Sequence, residues 1–155
     1  MNPADPLRGI LAGALAGLAA SALMNGLQAL VADTLPESDA PPATELAADA
    51  VAKAATGAPL HEGRKAAGGQ AVHYAFGTAL GALYGGLAEI RPDVTRGSGT
   101  LFGGTAALVF DEIMTPIMGI ASPPSQVPAA IHVYALASHL VFGAAVEGAR
   151  RVLRG

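Results

Sequence analysis

The chain has 155 residues, of which 52% are hydrophobic and only 14% are charged, with 20 glycines and no cysteine or tryptophan. A soluble domain usually carries about 25% charged residues, so this composition, with a mean hydropathy of +0.44, favours a helical membrane protein packed through small side chains. The net charge of -3 and the absence of a long basic run exclude a nucleic-acid partner, and the absence of cysteine excludes disulfides and thiolate chemistry.

An uncharged segment over residues 9–32 predicts the first membrane-spanning helix. At about 1.5 Å per residue, it is long enough to cross a hydrocarbon core of about 30 Å. Small residues recur at every fourth position up to the amide of Asn25: Gly9, Gly13, Gly17 and Ser21. Such a glycine zipper lets helix backbones approach closely in lipid.

A short amphipathic helix is predicted over residues 44–56, within the polar stretch that follows. Thr44 is expected to cap its N-terminus and Gly57 its C-terminus, and charged residues recur along one face. We expect this helix to lie on the membrane surface or over the mouth of the bundle. Residues 61–65 are expected to form a loop.

Three further apolar segments predict membrane-spanning helices over residues 70–90, 99–120 and 128–152. Each segment carries a stripe of small residues with polar groups embedded in it. His73 lies on the second span, whereas His132 and His139 lie seven residues apart on the fourth and therefore share a face. Glu89 and Glu147 lie near the span ends and are expected to be solvated.

The third span differs from the others because two adjacent carboxylates, Asp111 and Glu112, interrupt its apolar sequence. An ionised carboxylate inside a bilayer costs about 3 kcal/mol or more, so it needs a partner, a proton or a water-filled cavity. Pro116 predicts a kink close by. Adjacent residues point about 100° apart on an α-helix, so both carboxylates can face one spot only if Pro116 distorts the helix.

The segments together predict a single all-α domain over residues 1–155, a four-helix transmembrane bundle with the amphipathic helix in its first loop. In lipid the polar stripes should face the interior, where they would form one polar cluster: Asn25, His73, Asp111, Glu112, His132 and His139. Arginines at both ends of the chain and in the loop between the second and third spans place these parts in the cytoplasm. Identities between the first and third spans at an offset of 90 residues, such as Gly13 and Gly103, leave two explanations open: a tandem repeat of hairpins, or chance in helices rich in glycine and alanine.

A resemblance to a known family rests on elements in the last three spans: His73, the run from Pro116 to Gly119 followed by Pro123-Pro124, and His139 with Glu147 and Arg150-Arg151. Over about residues 70–151 the chain resembles the YagU-like family of small bacterial inner-membrane proteins, whose biochemical function is unassigned. The resemblance implies a multi-pass inner-membrane location and a link to acid tolerance. The chain departs from the family pattern at Asp111 and Glu112, where that pattern has a histidine.

The predicted polar cluster leaves three functions open. Since histidine titrates near pH 6.5, His73 and His139 could exchange protons with Asp111, and the protein would then sense or conduct protons or ions. The same three side chains are candidates for a metal or haem site, although no metal-binding motif supports it. Alternatively, the histidines are structural hydrogen-bond partners in an accessory or scaffold subunit, whose glycine stripes bind partner helices or a second copy. No nucleophile elbow, P-loop or dinucleotide motif occurs, so neither an enzyme nor a resident cofactor is predicted.

Overall fold

A computed structural model of the protein describes residues 5–35 and 41–155, which are helical and contain no strand. The prediction of an all-α fold is confirmed. The principal helices are α1 (Pro6–Val31), α2 (Ala43–Thr56), α3 (Glu62–Ile90), α4 (Thr100–Ala106), α5 (Thr115–Ile117) and α6 (Ala129–Arg154). A π-helical segment, Ala107–Met114, joins α4 to α5 without a break, and 3-10 turns occupy Ala32–Thr34, Pro92–Gly99 and Pro124–Gln126.

Two helices within the described ranges are long and apolar enough to span a membrane. They are Pro6–Thr34, with a mean hydropathy of 1.7, and Ala129–Arg154, with a mean hydropathy of 1.6. These helices contain the first and fourth predicted spans. The second predicted span lies in α3, which is not one of these two helices, and the third is divided among α4, the π-helical segment and α5.

Two local predictions around α2 and α3 are wrong. The helix α2 begins at Ala43, directly after Pro42, so Thr44 lies inside the helix and makes no capping bond. Residues 62–65 belong to α3 because His61 caps that helix, its ring nitrogen accepting a bond from the Gly63 amide at 3.3 Å. The predicted C-cap of α2 is confirmed, since Gly57 has a positive φ of 81° and its amide donates to the Lys53 carbonyl.

Antiparallel helices pack through glycine contacts in two places. A Cβ on Gly13 would overlap the carbonyl oxygen of Gly81, and a Cβ on Gly103 would overlap that of His139. The first contact joins α1 to α3, and the second joins α4 to α6. Because the backbones approach so closely, a larger side chain at these glycines would separate the helices.

The two pairs of helices repeat the same contact near their ends. Gly9 of α1 lies against Gly85 and Glu89 of α3, while Gly99, just before α4, lies against Gly143 and Glu147 of α6. The fold therefore contains two hairpin-like pairs of similar construction, with α1 also packed along α6.

The interior of the bundle contains many small side chains beside a few larger ones, whereas most of the leucines of α1 point outward. The buried cluster consists of Ala16, Ala20, Met24, Leu80, Tyr84, Ala106, Phe142 and Val146. Outward-facing residues such as Leu11, Leu15 and Leu23 are 55–59% exposed. This distribution reverses the usual arrangement of a water-soluble helical protein and suits a surface in contact with lipid.

Candidate functional site

The π-helical segment carries both carboxylates of the third predicted span, Asp111 and Glu112. Its backbone is wider than an α-helix, so adjacent side chains diverge by less than about 100°. Pro116 ends the segment's regular hydrogen bonding because it has no N–H to donate to the Asp111 carbonyl, which lies five residues earlier. The Thr115 hydroxyl instead donates to the Asp111 carbonyl at 2.9 Å. The local sequence thus explains a helix distortion, which takes the form of widened turns that face both carboxylates toward α6.

The closer pair joins Glu112 to His132 of α6, with 2.6 Å between Oε1 and Nδ1. The other ring nitrogen of His132, Nε2, lies 3.0 Å from the Pro124 carbonyl oxygen. A carbonyl oxygen only accepts, so Nε2 carries a hydrogen. One further proton must lie between Nδ1 and Oε1, because two lone pairs at this distance would repel. Glu112 and His132 therefore share one exchangeable proton, whichever of them formally holds it.

The second pair joins Asp111 to His139, with 3.3 Å between Oδ2 and Nδ1. The same Nδ1 lies 3.0 Å from the Ala135 carbonyl oxygen, one helical turn earlier in α6. Since both neighbours accept, Nδ1 carries the hydrogen of the neutral ring. A second proton would bind at Nε2 and give the imidazolium an electrostatic attraction to Asp111. We refer to Glu112–His132 and Asp111–His139 together as the carboxylate–histidine pairs.

A cavity of about 180 Å³ lies beside these pairs and is bounded by Asp111, Glu112 and His132. A larger cavity of about 1280 Å³ adjoins it at the end of the bundle where α5 connects to α6. The two cavities have wall residues in common: Ala43, Ala121, Ser122, Val127 and Ile131. Ser122 is exposed, so the carboxylate–histidine pairs have a short route to this end of the molecule.

Asn25 and His73 lie outside the carboxylate–histidine pairs. The Asn25 amide donates to the Gln70 side chain at 2.6 Å and to the Tyr74 hydroxyl at 3.2 Å. The ring of His73 lies 3.3 Å from the Ser21 carbonyl oxygen. These contacts tie α1 to α3, whereas the pairs tie the π-helical segment to α6. The structure thus divides the predicted polar cluster into two sets of contacts.

A second charged cluster lies at the opposite end of α6, where the sequence predicted solvated carboxylates. That prediction is wrong for Glu147, which is 1% exposed. Its carboxylate accepts from Arg150 at 2.7 Å, from Arg151 at 2.6 Å and from the Tyr84 hydroxyl at 3.0 Å. Four donor–acceptor contacts, including a second one from Arg150 at 3.1 Å, satisfy both oxygens.

Glu89 is also enclosed in this cluster, with its side chain 9% exposed. Arg154 donates to its two oxygens at 2.7 and 2.9 Å, and the backbone amide of Asp5 donates to it at 3.0 Å. We call Glu89, Glu147, Arg150, Arg151 and Arg154 the arginine cluster. A sequence signal for it existed, because Arg150 and Arg151 stand three and four residues after Glu147, on the same helix face.

The proposed metal ligands do not converge. Within residues 5–35 and 41–155, no three histidine or acidic side chains are arranged to hold a metal ion. His73 in particular bonds to α1, while His139 and Asp111 form a pair of their own. The geometry gives the metal or haem alternative no support.

Comparison with protein families gives one assignment. The family described as "Protein of unknown function (DUF1440)" matches residues 20–148. The chain belongs to this family. Comparisons with curated proteins and with solved structures found no match. The DUF1440 match includes both carboxylate–histidine pairs and Glu147, and it ends before Arg150.

Proposed function

We propose that this DUF1440 protein is a multi-pass inner-membrane protein that binds and releases protons at its carboxylate–histidine pairs, as a sensor or as part of a proton path. The observation that carries the proposal is the π-helical segment, which brings Asp111 and Glu112 to two histidines of one neighbouring helix. Since histidine changes charge within the physiological pH range, each pair can change its proton content there.

The pairs have features that proton binding needs and that a purely structural hydrogen bond does not. Glu112 and His132 share an exchangeable proton, and the Nε2 atom of His139 is available for another. Their side chains are partly enclosed, with exposed fractions from 13% for His139 to 35% for Asp111. A carboxylate placed in an apolar segment is costly, and an adjacent cavity of about 180 Å³ supplies room for water.

A membrane location is supported by the two apolar helices and by the outward-facing leucines. We extend it to four crossings by α1, α3, the α4–α5 stretch and α6. Asp5, Glu89 and Arg154 lie together, so both ends of the described chain and the end of α3 share one side. Arginine placement assigns that side to the cytoplasm. The resemblance to YagU-like proteins, and through it the link to acid tolerance, fits this proposal.

The scaffold alternative loses one of its supports in this geometry. Its glycine stripes were expected to bind partner helices, but Gly13, Gly17 and Gly81 contact each other across the α1–α3 interface. A partner would therefore have to bind another surface of the bundle, and no feature of the described residues singles one out.

The experiment that tests the proposal measures proton uptake by the purified protein in detergent micelles. The pH is lowered from about 8 to about 5, on either side of the usual histidine pKa, and an indicator dye counts the protons taken up. Glu112→Gln and Asp111→Asn should each reduce the uptake per molecule, with the larger loss for Glu112→Gln because its pair is closer.

The matched control is Glu62→Gln, which removes a carboxylate that is 84% exposed and distant in sequence from the pairs. Its loss of uptake gives the reference value for a carboxylate outside the pairs. The proposed function is wrong if Glu112→Gln and Asp111→Asn reduce proton uptake by no more than Glu62→Gln does, and if the histidines of both variants titrate as they do in the unsubstituted protein. Liposome flux measurements on the same variants then separate a proton path from a proton sensor.

A further inference from the structure

The geometry points to one-sided access, in which protons reach the carboxylate–histidine pairs from the α5–α6 connection and the arginine cluster closes the opposite end. This inference rests on the proposed function and specifies the route by which the site is loaded. It depends on the cavities at one end of the bundle, the packed layer beyond the pairs and the ion pairs at the other end.

The open end is formed by the joined cavities. The small cavity contains Glu112 and His132, and its wall continues through Ala121 and Ser122 into the larger one. The described walls of the larger cavity contain amides and hydroxyls but no charged side chain: Asn25, Gln28, Gln70, Ser122, Gln126 and Tyr134 are its polar members. Such a lining hydrogen-bonds water, and among the described residues the pairs are the first carboxylate or imidazole groups on the route.

The electrostatic surroundings of the pairs are simple among the described residues. Asp111 faces His139 and has Glu112 beside it, and His132 faces Glu112 and the Pro124 carbonyl. From α3, the ring of Phe76 packs against Phe110 at a centroid distance of 4.7 Å and adds no charge. The proton count of the pairs is thus set by these four side chains and by the water that reaches them.

Beyond His139, the interior is filled. Phe142 and Val146 follow it on α6 and are 3% and 0% exposed, and they pack with Tyr84 and Ala106 in the buried cluster. At about 1.5 Å per residue, this layer separates His139 from Glu147 by roughly 12 Å along α6. An apolar layer of this kind holds no water, so it interrupts any hydrogen-bonded route between the two charged regions.

The arginine cluster closes the end of the bundle behind this layer. Glu89 and Glu147 are neutralised by guanidinium groups, which stay protonated throughout the accessible pH range. The cluster joins α6 to α3 and to the backbone at Asp5. Its carboxylates therefore have no proton to pass on, in contrast to those of the pairs.

The experiment uses engineered cysteines. Because the chain has no cysteine of its own, the labelling measurement needs no background correction. Ser122→Cys places a thiol at the wall that both cavities share. Ser138→Cys places one in the packed interior, where Ser138 is 1% exposed. Val152→Cys places one at the arginine-cluster end, where Val152 is 81% exposed. Each variant is treated in micelles with a negatively charged methanethiosulfonate, modification is measured by mass spectrometry, and proton uptake is followed by stopped flow.

We expect the reagent to modify Ser122→Cys and to lower the rate of proton uptake, since the bulky adduct occupies the route. Val152→Cys should be modified without any change in uptake, and Ser138→Cys should stay unmodified. Full modification of Ser122→Cys with an unchanged uptake rate would overturn one-sided access, as would a loss of uptake on modification of Val152→Cys. Neither result touches the proposed function, which fails separately if the unmodified protein shows no uptake that depends on Glu112.

Discussion

The arginine cluster and the carboxylate–histidine pairs both contain two carboxylate side chains, but the basic partners of these carboxylates differ. Glu147 is held by two arginines and a tyrosine, whereas Glu112 and Asp111 are each held by one histidine. A guanidinium remains charged at every accessible pH, while an imidazole gains and loses its charge near neutrality. We therefore expect a fixed charge distribution at one end of the molecule and, under the proposed function, a charge distribution that responds to pH at the other.

The backbone also differs between the two regions: it is closely packed around the arginine cluster and widened around the pairs. Around the arginine cluster, Gly99 and Gly143 allow α4 and α6 into contact, so the helices are closely packed. Around the pairs, the π-helical segment replaces regular α-helix, and cavities adjoin the side chains. We therefore expect the closely packed end to contribute more to the stability of the bundle, and the proposed function requires the wider end to admit the water that proton exchange needs.

The largest effect is expected from removing the charge of Glu147. Glu147→Gln removes the nearer counter-ion of Arg150, whose side chain is 12% exposed and keeps only the Glu89 carboxylate at 3.9 Å. Losing one partner of a buried ion pair costs about 3–5 kcal/mol. We expect a large fall in the thermal unfolding temperature of the protein in detergent, measured by circular dichroism.

The same substitution at the other end sharpens the comparison. Glu112→Gln supplies an amide N–H that can donate to Nδ1 of the neutral His132 ring and leaves no buried charge, so we expect a loss of about 1 kcal/mol or less. Equal destabilisation by Glu147→Gln and Glu112→Gln would show that both regions are structural and would contradict the distinction drawn between them.

An effect smaller than that of Glu147→Gln is expected from filling the α1–α3 interface. In Gly81→Ala, the new Cβ would overlap the Gly13 carbonyl and lie 2.7 Å from the Gly17 Cα, so the helices must separate at a cost of about 1–3 kcal/mol. Gly26→Ala is the control, since Gly26 is helical and has no atom within 4 Å of the added Cβ. Chemical denaturation should show a loss of stability for Gly81→Ala alone.

The smallest effect concerns the surface contact between α2 and α3. The Lys65 ammonium lies 3.4 Å from Asp49 of α2 and 2.7 Å from Glu62 of its own helix. The hydrogen bond to Glu62 is the main cause that raises the pKa of Lys65 above its usual 10.5, and the hydrogen bond to Asp49 across the two helices raises it further. Because the folded-state pKa is the higher one, the stabilisation is complete below the unfolded value and is lost as the pH rises through the folded value.

Hydrogen exchange of the α2 amides tests this contact. Lys65→Met should increase exchange in α2 at neutral pH, and the difference from the unsubstituted protein should disappear at strongly alkaline pH. An unchanged exchange pattern at neutral pH would mean that the apolar contacts of α2, such as Ala48 against α3, hold it without the ion pairs.

Local sequence predicted much of the helical content but little of the side-chain pairing. Residues 9–32 and 128–152 were identified as helices by their apolar composition, and Gly57 was identified as a helix end by its tolerance of a positive φ. Thr44 and residues 61–65 were misassigned because Pro42 and His61 cap α2 and α3 instead. The carboxylates were identified by the rarity of charge in an apolar segment, which is a local property.

Sequence alone determined that the chain is helical, that small residues lie in stripes along the helices, and that Asp111, Glu112 and three histidines are embedded in apolar segments. Tertiary structure decided which of these groups meet, because partners on α6 are distant in sequence and helix rotation sets the pairing. It widened the backbone before Pro116 so that both carboxylates face α6, and it placed His73 against α1. It also buried Glu147, since Tyr84 of α3 and the arginines of α6 together replace the water that a carboxylate would otherwise need.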